Sequence, residues 1–317
     1  MPMNSLRQEK SYVWFGGKIV ETDMALISAF SPSARYGLSV FEGIRGYLSE
    51  NKSGINVYRL QDHILRLFSS AERLSLPIPH SPAEVIDAVV ETIKANQVNC
   101  DCYVRVDVLS TQNGSWHSLE PGTLTISVSR SIKDEKLESR VQSAAITKWK
   151  RIDESQMPPS IKAGANYINS RHGYLDVKRA GYDVPIFLNL EGNVAESSGA
   201  CIMAVIDGQL ITPPISAQIL ESITRDTLIT ISRNLEFVAV EKNIHPEELQ
   251  KASELFLCGT SVEIAPITAL DGNPVGNGKP GEITKSMFKS YLNEVRKPLN
   301  PISHEHSTQI PIEISPS

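Results

Sequence analysis

The chain has 317 residues, 41% of them hydrophobic and 21% charged, which is the make-up of a soluble globular protein long enough for two domains of ordinary size. A net charge of −5 and a pI near 5.9 exclude nucleic-acid binding through a basic face. No window approaches the ~18 continuous apolar residues of a membrane span, and the polar first ten residues lack a signal-peptide core, so a cytoplasmic location is expected.

Residues 12–20, with Gly16-Gly17 inside them, read as a hairpin, and 28–36 as a loop. A strand at 38–47 contains Gly43 and Gly46, and glycine within a strand marks a close approach by a ligand or another segment. A further strand covers 55–60, with Arg59 at its end. The apolar stripe Ile64, Leu67, Phe68, Ala71 and Leu74 predicts a helix over 63–76, stopped by Pro77 and Pro79. Ser81-Pro82-Ala83-Glu84 has the form of a capping box and opens a helix to about residue 96. Strands are expected at 102–109 and 122–128, closing a small N-terminal α+β domain near residue 130.

The charged run 131–140 reads as a solvated connector. The larger domain then covers 141–297. It starts with a strand at 141–149 and a loop, followed by a helix at 166–180 that Gly181 terminates. After a strand at 184–189 come turns at Glu191-Gly192-Asn193 and Asp207-Gly208, the second a hairpin signal. A helix at 224–234, a strand at 255–258 and a last helix at 282–295 complete it. The tail 298–317, rich in Pro, Ser and His, is expected to be disordered. Cys100, Cys102, Cys201 and Cys258 show neither C-x-x-C nor metal-site spacing, so free thiols and no metal are expected.

Chemistry concentrates on Pro158-Pro159-Ser160-Ile161-Lys162-Ala163-Gly164-Ala165-Asn166-Tyr167. Lys162 has small and apolar neighbours instead of the acids that accompany a surface lysine, a setting that disfavours its cation and makes its amine a usable nucleophile. Ala163-Gly164-Ala165 leaves room for a bulky group beside it. Thr224-Arg225-Asp226 opens a helix whose free amides suit a phosphate, though Thr224 also serves as a plain N-cap. Gly259-Thr260-Ser261 is either an ordinary strand-to-loop turn or a source of further amides and a hydroxyl, and Arg59 either an exposed ion-pairing arginine or a bidentate contact for an anion. Glu196, set among small residues after a hairpin turn, is either a solvent-facing acid or a carboxylate held so as to keep a heterocyclic nitrogen protonated. A reactive lysine, a phosphate-binding helix start and a cation-stabilising acid together are what pyridoxal phosphate requires.

With these residues on view, the chain resembles the fold-type IV pyridoxal-phosphate enzymes, closest to the branched-chain amino acid aminotransferases, over about residues 10–296. The resemblance rests on Tyr36-Gly37-Leu38-Ser39-Val40-Phe41-Glu42-Gly43-Ile44-Arg45, the Lys162 and Glu196 segments, Ile223-Thr224-Arg225-Asp226, and Gly259-Thr260-Ser261-Val262-Glu263-Ile264. It implies two α/β domains, the larger with a β-barrel-like core. It also implies a Schiff base on Lys162, which moves the proton between substrate and cofactor, with Glu196 on the pyridine nitrogen and Tyr167 on the phenolic oxygen. Arg59, Ile223, Thr224 and Thr260 would hold the phosphate, and Leu220 would pack on the ring. Substrate would meet Phe41, the Tyr-x-Arg element Tyr103-Val104-Arg105, Thr260 and Ser261. Tyr36 would enter the site of a second subunit, in a homodimer or larger closed oligomer.

The expected reaction passes an amino group between a branched-chain amino acid or L-glutamate and a 2-oxo acid through a pyridoxamine form of the cofactor. A lyase, a D-amino acid or amine transaminase, and a non-catalytic scaffold are the alternatives. The chain departs from the family pattern at Val106, Cys201, Met203 and Ser222, and 131–136 lacks the aromatic residues that line an apolar substrate pocket. A donor other than a branched-chain amino acid is therefore admitted.

Overall fold

A computed structural model describes residues 11–131, 133, 135–297 and 308–311. The hairpin of β1 (Tyr12–Phe15) and β2 (Lys18–Glu21) turns on Gly16 and Gly17 at φ 58° and 100°. The segment expected to be loop contains a short helix, α1 (Pro32–Tyr36), capped by Ser31. β3 (Ser39–Leu48) then runs unbroken through both glycines. They do mark close approach, by side chains of the neighbouring strand: a Cβ on Gly43 would stand 1.9 Å from the Tyr103 hydroxyl, and one on Gly46 2.6 Å from Cys102 Sγ.

β4 (Gly54–Val57) is shorter than expected, because Arg59 takes a left-handed φ of 50° and starts α2 (Leu60–Arg73). α3 (Pro82–Ala95) opens on the expected capping box. With β5 (Cys102–Leu109) and β6 (Thr123–Arg130) these strands form an antiparallel sheet in the order β4-β3-β5-β6-β1-β2.

The second sheet begins with β7 (Gln142–Lys150) and β8 (Val184–Leu188), a parallel pair joined by α4 (Tyr167–Arg179), since parallel neighbours need a crossover. β9 (Cys201–Ile206) and β10 (Gln209–Thr212) turn at Asp207-Gly208, both at positive φ. α5 (Ile223–Ser232), β11 (Val240–Glu241) and α6 (Pro246–Leu249) lead to β12 (Glu254–Gly259), β13 (Glu263–Leu270), β14 (Asn273–Pro274) and α7 (Glu282–Arg296). The order is β11-β10-β9-β12-β13-β7-β8, with β14 beside β13. Both sheets curl into half-barrels.

A further expectation is corrected. The tail is not wholly without structure, because β15 (Thr308–Pro311) pairs antiparallel with β4 and buries Ile310 in the first core. The rest of 298–317 lies outside the described residues.

Three cores result. The first sheet packs on α2 and α3 through Val40, Ile44, Leu67, Val89 and Val104. The second sheet is covered on both faces, so β9 reads as a continuous apolar run. Cys201, Met203 and Val205 face α5 and α7, while Ile202, Ala204 and Ile206 face the opposite way. The same alternation in β5 buries Cys102, Val104, Val106 and Val108, leaving Tyr103, Arg105 and Asp107 on the other side.

Between the sheets, the Lys162 loop is sewn onto β3. The Phe41 amide donates to the Lys162 carbonyl at 3.0 Å, and the Gly164 amide to the Ser39 carbonyl at 3.0 Å. Gly164 is needed for this seam, since a Cβ there would lie 2.4 Å from Ser39 Oγ. Ala163 is buried in the first core. The small residues around Lys162 therefore serve packing against β3, not space around the amine.

Candidate active site

The seam presents the side chain of Lys162 to a cavity of about 380 Å³, within the usual range of roughly 300–1,000 Å³ for small-molecule sites. Asn166 braces the loop from within, its side-chain amide donating to the carbonyls of Pro158 and Ile161 at 2.9 and 3.0 Å. Lys162 Nζ donates to the Tyr167 hydroxyl at 2.9 Å and lies 4.9 Å from the centre of the Phe41 ring. Tyr167 starts α4 one turn beyond the lysine, so the loop and the helix start fix this pair together.

Elsewhere on the wall is Glu196, 4% exposed, whose Oε1 accepts from Arg151 at 2.7 Å and from the Leu220 amide at 3.4 Å. Burial pushes this carboxyl above its ordinary range, and the Arg151 guanidinium works against that rise. Arg151→Met is expected to leave an unpaired buried carboxyl and to lower stability by about 3 kcal/mol, the low end for a broken buried pair because the acid is able to protonate. A urea melt of both proteins measures it.

The strand pair β3–β5 supplies a third wall. Arg105 stands opposite Gly43 and Tyr103 opposite Arg45, and Gly43 lets the Tyr103 ring lie across the strand. The Arg105 guanidinium stacks 3.4 Å over the centre of the Phe41 ring and donates to Asp107 at 2.9 Å.

The cavity thus joins Phe41, Tyr103, Arg105, Lys162, Tyr167 and Glu196, together with Leu220, Thr260 and Ser261. Ile223 and Thr224 line a small adjoining recess that Thr260 shares, with the Thr224 and Thr260 hydroxyls 3.5 Å apart. Ser222, not Thr224, caps α5: its hydroxyl accepts from the Arg225 amide at 3.2 Å, which leaves Thr224 available to the recess. Ser222 has φ −85°, a conformation serine adopts without strain. Arg59 lies behind this helix start, donating to the Ile223 carbonyl at 3.2 Å and paired with Asp62 and Asp226. Tyr36, 43% exposed, stands apart from the cavity on the outer surface.

The residues present fit pyridoxal phosphate. They provide an amine and a phenol in contact, a buried carboxylate with its own cation, and a capped helix start beside two threonine hydroxyls. Sequence reasoning did not find the supports: Arg151 under Glu196, Arg45 on Glu263, and the group Glu42–His63–Arg66. Each is an arginine, histidine or glutamate whose partner is remote in sequence, and only the expected glutamate at 196 hinted that a cation was needed nearby.

Comparison with known proteins agrees. The family model of amino-transferase class IV matches residues 39–270. The branched-chain-amino-acid aminotransferase of Escherichia coli K12 is 31% identical over 90% of this chain and 93% of its own length. Among solved structures, the branched-chain aminotransferase of Thermoproteus uzoniensis with norvaline superposes with a TM-score of 0.86 at 36% identity, covering 95% of this chain and all of the other. The Thermobaculum terrenum branched-chain amino acid aminotransferase in its PLP form gives 0.87 at 32% identity, over 95% of this chain and 98% of that one.

Proposed function

The chain belongs to amino-transferase class IV and is a pyridoxal-phosphate-dependent aminotransferase, and from that premise we propose that it passes amino groups between a branched-chain L-amino acid or L-glutamate and a 2-oxo acid. The single observation that carries this reading is the Lys162–Tyr167 contact of 2.9 Å in a cavity that also holds the Glu196–Arg151 pair.

When bound, pyridoxal phosphate supplies an electron-withdrawing ring that stabilises negative charge at the substrate's α-carbon. Lys162 would hold the group covalently and, as a free amine, would take and return the proton at that carbon. Tyr167 orients the amine. Glu196 would keep a proton on the ring nitrogen, and Arg151, 2.7 Å from its carboxylate, would keep Glu196 charged enough to do so. The start of α5 and the Thr224 and Thr260 hydroxyls would hold the phosphate, with Arg59 behind that helix start adding its charge, and Leu220 would flank the ring. Tyr103, Arg105 and the Thr260-Ser261 turn receive the substrate's carboxylate. Although 131–136 contributes no aromatic residue, Phe41, Ile161, Val184, Leu257 and Val262 give the cavity an apolar side, which supports an aliphatic substrate.

The proposal extends to assembly. Exposed apolar residues on 24–30 and at Trp116 and Leu119, with Tyr36 nearby in sequence, support a homodimer. The two sheets support a division into domains at 1–130 and 141–297, joined by 131–140, with β15 of the tail adding to the first sheet. No helix of the described residues is long and apolar enough to cross a membrane, and a reducing cytoplasmic setting suits the four free cysteines.

The test is the absorbance spectrum of purified protein with pyridoxal phosphate, followed during addition of L-leucine, L-glutamate, D-alanine or a simple amine. Bleaching of the visible band by L-leucine and L-glutamate, restored by a 2-oxo acid, is the expected result. Bleaching by D-alanine or the amine alone overturns the substrate class. Pyruvate released without an acceptor overturns transamination in favour of a lyase, and a protein that stays colourless means a scaffold.

A further inference from the structure

The turn Thr260-Ser261-Val262, between β12 and β13, forms one wall of the cavity. Its carbonyl oxygens are engaged from behind. Arg45 Nε donates to the Thr260 carbonyl at 3.1 Å, and Lys133 Nζ donates to the Ser261 carbonyl. A trans peptide directs its N–H opposite to its C=O. Cations that hold these two carbonyls therefore direct the amides of Ser261 and Val262 the other way, and polarise them as donors.

Charge reinforces geometry. Glu263, 2% exposed, lies 3.3 Å from Arg45 and 3.9 Å from Lys133, and is also paired with Arg140. Among the described residues three cations meet this one carboxylate, so an anion seated on the turn would be favoured there. Arg45 and Arg140 are held by Glu263 and by further partners, Ser131 for Arg45 and the Phe288 ring for Arg140. Lys133 is the lysine of the group, with 30% of its side chain exposed, and it comes from the connector that lacks an apolar substrate lining.

We infer that Lys133 is a positioning residue for the substrate's carboxylate, acting through the Ser261 carbonyl and through its own charge. This rests on the aminotransferase reading and adds to it a residue that the connector, not the cofactor domain, contributes. Burial draws the Lys133 ammonium down to about 8, and Arg45 and Arg140 add to the drop while Glu263 opposes it. Its cation is therefore lost just above neutral pH, and anion binding should weaken as pH rises through that range.

The test measures binding of 4-methylvalerate, a carboxylate with no amino group to react, to the holoenzyme by calorimetry between pH 7 and 9.5. Wild type, Lys133→Met and Lys133→Arg are compared, and the visible spectrum of each reports the cofactor. Wild type is expected to bind more weakly above pH 8. Lys133→Met should bind about tenfold more weakly at pH 7 with no step near 8. Lys133→Arg should bind well at pH 7 and lose the step, because its cation persists. Equal affinity in wild type and Lys133→Met, or a step that survives in Lys133→Arg, overturns the inference while leaving the aminotransferase reading intact. A wild type with neither the visible band nor carboxylate binding overturns that reading, and the inference with it.

Discussion

Lys162→Ala should abolish transamination, lowering turnover by at least about 10⁴-fold, since it removes both the covalent attachment and the base at the α-carbon. The fold should survive. The loop is held to β3 by the Phe41–Lys162 and Gly164–Ser39 backbone bonds and by the Ser70 hydroxyl, which accepts from the Lys162 amide at 3.2 Å. None of these involves the lysine side chain. Lys162→Arg separates charge from nucleophilicity. It keeps a cation beside Phe41 and Tyr167, yet an arginine does not deprotonate at working pH and forms no such linkage. Both variants should fail alike, and both should lose the visible band of lysine-bound cofactor while the phosphate recess still retains the cofactor by dialysis. Activity above about 1% of wild type in either would remove Lys162 from its role.

The reactive residues were legible because their chemistry leaves local marks. Lys162 stands out by its small neighbours, Glu196 by its own, and the helix start at 223–224 by its place after a proline loop. Even there the marks misled in detail. Ala163 and Gly164 proved to be small because β3 lies against them, and Thr224 proved free of capping because Ser222 caps.

The supports were illegible for one reason: a salt bridge is a pairing in space. Arg151 and Glu196 are 45 positions apart, and Arg45 and Glu263 are 218 apart; in the sequence each arginine looks like a solvated charge. Four strands escaped, β11, β13, β14 and β15, and two of them for related causes. β13 carries Pro266, which breaks the strand pattern, although it is held between β12 and β7. β15 offers one buried apolar residue, Ile310, among polar and proline neighbours, and its strand exists only because β4 presents an edge to it.

The group behind β3 carries the second large effect. Glu42, fully buried, accepts from Arg66 at 2.7 and 2.8 Å and from His63 Nδ1 at 2.7 Å. His63, Arg66 and Ser70 lie at i, i+3 and i+7 on α2, so one helical stripe holds both this acid and the Lys162 amide. Arg66 also donates to the Glu221 carbonyl, next to Leu220 and the start of α5. Burial alone would raise the Glu42 carboxyl, but Arg66 and His63 outweigh it and hold the group far below the usual range. Burial lowers the imidazole of His63 as well, and Glu42 opposes this only in part. Neutral His63 therefore donates to an ionised Glu42.

The sign follows for each group. A folded-state value below the unfolded one means that the unfolded chain binds more protons, so stability is present above the unfolded value and is lost as pH falls. His63 contributes to that loss from its ordinary value of 6.5 downward, and Glu42 from its ordinary 4.5 downward. Thermal melts between pH 8 and 4 should show stability falling in two stages. His63→Asn should flatten the upper stage. Glu42→Gln should flatten the lower one and cost about 3–5 kcal/mol at pH 7, because it leaves Arg66 without its buried counter-charge. It should also weaken retention of the cofactor, since Arg66 then loses its hold on the turn at Glu221. Melts in His63→Asn that keep the full wild-type slope between pH 7 and 5 would assign that slope to other groups, and would leave Glu42 with Arg66 alone as the pair that ties α2 to the phosphate end of the site.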